Sequence, residues 1–158
     1  MYKRQHTLNL SDKVYGSRSI AAIGVAAHEC GHAIQHARHY VPLTVRSAII
    51  PAANIGSSFA WPLVLIGLII PRLNFCMTIG ILLFSLVVIL QLVTLPVEFN
   101  ASRRAIQIIR DSGYLAPDEL KGAKSVLKAA AMTYVAAMVS VSLQLLRLVI
   151  LRNSRDDN

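Results

Sequence analysis

The chain has 158 residues, enough for one domain, with 54% hydrophobic and 15% charged. That charge, against a usual ~25%, and a mean hydropathy of +0.53 exclude an ordinary soluble domain. The net charge of +8 could suit nucleic acid, but the basic residues flank uncharged blocks and do not interleave with aromatic ones, so an anionic membrane surface fits better.

Taken in chain order, no apolar run follows Met1-Tyr2-Lys3-Arg4, so no signal peptide is expected. His6-Thr7-Leu8-Asn9-Leu10 alternates polar and apolar, the pattern of a short edge strand or of a frayed terminus. Ser11-Asp12 is one helix start signal, and Ser17 or Ser19 is a second. A helix is predicted from about Arg18 to Arg38, with Ile20, Ile23, Ala27, Ile34 and Ala37 as its apolar stripe, and Pro42 ending the region. Inside it stands His28-Glu29-Cys30-Gly31-His32. Residues four apart share a helix face, so His28 and His32 can hold one Zn²⁺ through two imidazoles. Glu29 lies beside them as general base. Zinc brings the pKa of water near 7, and the whole is the chemistry of a metallopeptidase. Glu29 would take the water's proton and pass it to the leaving amine. Five residues with three fixed also arise by chance, so the rest of the chain must carry the reading.

Ile49 to Ile70 holds no charge over 22 residues, long enough to span a bilayer, with Pro51 and Pro62 inside it as kink sites or signs of a late start. Pro71-Arg72-Leu73-Asn74 reads as a tight turn. Leu73 to Val97 is again uncharged, and Phe75 to Leu95 is the clearest transmembrane helix. Two spans return the chain to the face it left, so Glu98 can meet His28 and His32. A helix is predicted over 98–113 with Gly113 just past its end, and another opens at Pro117-Asp118-Glu119. Ala129 to Leu146 is uncharged, and a third span follows with Arg147 snorkelling near its far end. The polar tail Arg152–Asn158 is expected to be disordered. Cys30 and Cys76 lack CxxC spacing and are expected as reduced structural thiols.

The domain expectation is one membrane unit over 1–158. It has a motif helix region at 1–46, spans at 49–70, 75–97 and 129–151, and a helical segment at 98–128 carrying a third ligand. Six Lys and Arg lie in 1–46 and six in 98–128, against Arg72, Arg147, Arg152 and Arg155 elsewhere, which predicts a cytoplasmic side for the histidines.

A catalytic zinc takes three protein ligands and an open position. The arrangement with a further histidine would need one at 38 after a glycine at 35, where this chain has Arg38 and Gln35. His36 can ligate but reads better as a polar neighbour or surface residue, and His6 and His39 read as surface. Glu98 is the remaining candidate, unless it is only an acid at a helix N-terminus. Glu98-Phe99-Asn100-Ala101-Ser102 resembles the E-x-x-A-D segment of membrane gluzincins, with Ser102 in place of the aspartate that usually supports a zinc histidine. Asn100 or Ser102 can substitute by a hydrogen bond. Tyr114, His36, Arg103 and Arg104 are candidate donors to the reacting carbonyl.

The resemblance extends further. Leu8 to Ser11, Ser19 to Glu29 with Gly31 to Gln35, Leu95 to Ser102 with Arg104-Ala105, and Ala129-Ala130-Ala131 with Thr133 to Ala137 resemble the YugP-like family of bacterial membrane zinc metallopeptidases. The resemblance covers nearly the whole chain. It implies a mainly α-helical, multi-pass protein of the cell membrane. It also implies a neutral zinc endopeptidase with His28 and His32 as ligands, Glu29 as base and Glu98 as third ligand, acting on membrane or membrane-proximal proteins. Family members carry an extra membrane helix and a short soluble segment before the point where this chain begins, so Met1 resembles an internal start. A truncated, non-catalytic membrane scaffold is the alternative. A metal transporter fits less well, because the spans carry no ionisable residue near their midplanes.

Overall fold

A computed structural model describes residues 8, 10–12 and 14–156. The chain is mainly α, in the order α1 (Ile20–Ala37), α2 (Val41–Ile69), a 3₁₀ turn (Pro71–Leu73), α3 (Asn74–Ser112) and α4 (Pro117–Asp156). No strand occurs among the described residues. The edge strand expected over His6–Leu10 lies outside them, apart from Leu8 and Leu10.

Local signals set most helix ends. Ser19 caps α1, its side chain accepting from the Ala22 backbone N–H at 3.2 Å. Ser11 instead closes a turn with Val14 and Tyr15. Pro117 opens α4, and Glu119 Oε2 accepts from the Ala116 N–H at 2.9 Å, half of a capping box. Gly113 ends α3 at φ 66, a conformation that glycine adopts without strain.

The end of α1 is less ordinary. Tyr40 N–H bonds to Gln35 O and His39 N–H to His36 O, the paired bonds of a Schellman motif. The left-handed position belongs to His39, at φ 50. His39→Gly is therefore expected to raise stability by about 1 kcal/mol, read as a higher thermal midpoint.

Two compact units share the long helices. One comprises residues up to Leu43 and Leu95–Tyr134. Ala27, Ala105, Ile109, Ala123 and Leu127 form its core, with Ile20 and Ile23 half-buried against them. The other comprises Thr44–Thr94 and residues from Val135 on. Ala60, Val64, Met77, Ile81, Phe84 and Leu148 form its core.

Several expected boundaries are corrected. Pro42 does not end a helical region but lies in the first turn of α2, where a missing N–H costs nothing. Pro51 and Pro62 lie inside α2. The span at 75–97 and the helix at 98–113 are one helix of 39 residues, because Pro96 removes one N–H without ending it. The tail is helical to Asp156. Arg155 Nη1 donates to Gly67 O and Leu68 O at 2.9 and 2.7 Å, satisfying carbonyls near the end of α2. The stretches Val41–Ile69, Pro71–Ser112 and Pro117–Arg155 are each long and apolar enough to cross a membrane.

Candidate metal centre

His28 and His32 project from one face of α1, with ring centroids 4.7 Å apart and planes at 88°. Glu98 comes to them from α3. It is 2% exposed and lies within the helix, so the reading of an N-terminal acid is corrected: no helix start is near enough to favour it. Its Oε2 lies 3.1 Å from His28 Nε2 and 3.5 Å from His32 Nε2. Among the described residues these three form a group able to hold a metal ion, with ligand atoms within 4.8 Å of one another.

The spacing fits zinc. Tetrahedral bonds of about 2.0–2.2 Å place neighbouring ligand atoms roughly 3.3–3.6 Å apart. Two histidine nitrogens and one carboxylate oxygen are a donor set that zinc accepts. Burial lowers the pKa of His32, but hydrogen bonds to Glu98 and Gln35 and the charges of Glu98 and Glu29 outweigh it, leaving the pKa raised. The apposed groups favour a positive charge between them.

The approach that creates this geometry depends on Gly31. A Cβ there would lie 2.5 Å from Ala101 O and 3.1 Å from Ala101 C and Cα, so only glycine lets α1 come this close to α3. The same closeness corrects the expected stripe of α1. Its buried residues are Ala22, Gly24, Ala27, Gly31 and Gln35, whereas Ile34 is half-buried and Ala37 exposed. A tight helix crossing selects small side chains over large ones.

The other expected residues divide clearly. Ser102 Oγ lies 3.2 Å from His28 Nδ1, so of Asn100 and Ser102 it is the serine that reaches a histidine. Asn100 reaches Gln35 rather than a histidine. Glu29 is exposed next to His28, and its charge acts on His32. His36, His39, Arg103 and Tyr114 are exposed. Gln35, given no role at the site from the sequence, is fully buried and bonds to His32 Nδ1 at 2.9 Å. Its signal was its place on the face of Ala27 and Gly31, where a polar side chain needs partners.

The chain is similar to known proteins. Residues 2–153 match a family model described as "Putative neutral zinc metallopeptidase". The chain is 48% identical over 155 residues to the "Putative membrane protease YugP" of Bacillus subtilis (strain 168), covering 98% of this chain and 68% of that protein. No solved structure matches.

Proposed function

The chain belongs to the neutral zinc metallopeptidase family, and from that premise we propose that it is a zinc-dependent membrane endopeptidase. The observation that carries this reading is the convergence of His28 Nε2, His32 Nε2 and Glu98 Oε2 at zinc-ligand spacing. Bound zinc supplies Lewis acidity, which brings water's pKa near 7 and polarises a carbonyl. Glu29 is the general base: an exposed carboxylate beside the ligands, able to accept a proton from attacking water and return it to the leaving amine. Glu98 contributes charge as well as a ligand atom, since it is held between the two imidazoles.

Three long apolar helices and the relative's name support a place in the bilayer. On this reading 49–70, 75–97 and 129–151 are the spans of a multi-pass protein, and one metallopeptidase domain covers the chain. Exposed Ile55, Leu65, Leu82, Leu143 and Ile150 suit contact with lipid. The Lys and Arg of 1–46 and 98–128 support a site on the cytoplasmic side. The substrates are membrane or membrane-proximal proteins, and nucleic acid is not a partner.

Detergent-purified protein and its Glu29→Gln variant test the activity. Both should bind one zinc, and cleavage of casein should fall about 100- to 10,000-fold in the variant. Equal cleavage by the two removes Glu29 from its role. Zinc in both without cleavage in either favours the non-catalytic alternative.

The raised pKa of His32 gives a pH dependence. A proton on His32 must leave before the nitrogen can bind metal. Because that proton is held above the ordinary histidine value of 6.5, zinc affinity should keep rising with pH beyond that value and weaken as pH falls. Calorimetry in buffers of different ionisation enthalpy should show proton release on zinc binding near neutrality.

A further inference from the structure

His32 has two ring nitrogens, and only one of them faces Glu98. The other, Nδ1, lies 2.9 Å from Gln35 Oε1. The orientation of the Gln35 amide is fixed by what surrounds its nitrogen. Gln35 Nε2 donates to Val97 O at 2.8 Å and to Asn100 Oδ1 at 3.1 Å. A backbone carbonyl only accepts, so the amide nitrogen must face Val97 and the amide oxygen must face His32.

Asn100 is fixed in the same way from its other side. Arg104 Nε donates to Asn100 Oδ1 at 2.8 Å, and a guanidinium only donates. Asn100 must therefore turn its oxygen toward Arg104, and that oxygen also receives Gln35. The pairs are well placed by helix geometry, with Gln35 three residues from His32 on α1 and Arg104 four from Asn100 on α3.

We propose that Arg104, Asn100 and Gln35 form a hydrogen-bond chain of fixed polarity that keeps His32 protonated on Nδ1 and so presents Nε2 as a bare metal-binding atom. The three are positioning residues: none touches the metal or substrate. The chain deepens the zinc-peptidase reading of this centre and rests on it. It also accounts for a fully buried glutamine on a face of small residues, since every polar atom of Gln35 then has a partner of the correct sense. Glycine at 31 and glutamine at 35 act together: the first lets α3 approach, and the second joins it to the ligand.

The test reads the tautomer directly on the metal-free 158-residue chain in detergent, labelled with ¹⁵N-histidine and held at alkaline pH so that His32 is neutral. Wild type should show His32 as the Nδ1–H form. Gln35→Leu should lose that preference, and its zinc affinity should fall about 10- to 100-fold. Asn100→Leu should lose several-fold. Asn100→Asp keeps two acceptor oxygens for Arg104 and Gln35, so it should retain the tautomer and bind zinc within about threefold of wild type. Arg104→Leu should resemble Asn100→Leu.

Helical content is followed in every variant. Loss of fold in Gln35→Leu leaves the Asn100 pair to decide. Nε2–H in wild type, or Asn100→Asp behaving like Asn100→Leu, overturns the proposal. A wild type that shows the Nδ1–H form but binds no zinc supports the chain and overturns the peptidase reading instead.

Discussion

Glu98→Ala is expected to cost the protein more than about 100-fold in zinc affinity, beyond the ~10- to 100-fold typical of a lost supporting residue. The carboxylate is the only acid in the group of ligand atoms found among the described residues. Without it two neutral imidazoles remain, and the charge that favours a dication is gone. The helix itself should survive, because Glu98 lies inside α3, flanked by Val97 and Ala101, both fully buried. Circular dichroism should be unchanged while bound zinc disappears on dialysis. Glu98→Gln should fall between the two, since an amide oxygen is a weaker ligand. Thermal unfolding gives a second reading. Free zinc at 100 times its dissociation constant stabilises by about 2.7 kcal/mol, so a chelator should lower the wild-type midpoint and leave that of Glu98→Ala in place. Equal affinity in wild type and Glu98→Ala would remove Glu98 from the centre.

Gly31→Ala is expected to damage the site without altering any ligand. The new Cβ would stand 2.5 Å from a backbone oxygen, and a backbone oxygen inside a helix cannot swing away. Relief needs α1 and α3 to part by roughly an ångström, given ordinary contacts of about 3.5–4.0 Å between carbons. Overpacking of this kind costs about 1–3 kcal/mol. The separations of 3.1 and 3.5 Å between the histidines and Glu98 would widen with it, so zinc affinity should fall and turnover should drop by about 100-fold. Gly24→Ala is the contrasting substitution on the same helix. Its nearest neighbour would be Leu127 Cγ at 3.9 Å, an ordinary contact, and alanine favours helix over glycine by about 1 kcal/mol. It should be neutral or stabilising. Calorimetry on the two variants separates them, and equal thermal midpoints and zinc affinities would show that the approach of α1 to α3 is not limiting.

Local order made much of this protein legible. The spacing of His28 and His32 depends on helix periodicity alone, and so does their placement on one face. Ser19, Gly113 and Pro117 mark helix ends because each acts on a backbone group within one turn of itself. The uncharged stretches identify the long helices because bilayer thickness sets a length that composition can report. Glu98 was within reach as well, since it is the first charge after two apolar runs.

Other features follow no local rule. Helices α3 and α4 continue past their apolar stretches because polarity changes along a helix without interrupting its hydrogen bonds. The helical tail is joined to α2 by Arg155, 88 residues after Gly67.

What the sequence by itself determined was a list of residues able to bind metal and the helices that carry them. Only the tertiary structure decided which atoms meet. His28 and Glu98 are 70 residues apart and His28 and Ser102 are 74 apart, and no periodicity reaches that far. The crossing at Gly31 brings Glu98 to Nε2 of both histidines, and it buries Gln35 where its amide reaches Val97, Asn100 and His32. A hydrogen bond has polarity as well as length, and the partners that turn the Gln35 amide oxygen toward His32 lie on a helix that the chain reaches more than sixty residues later.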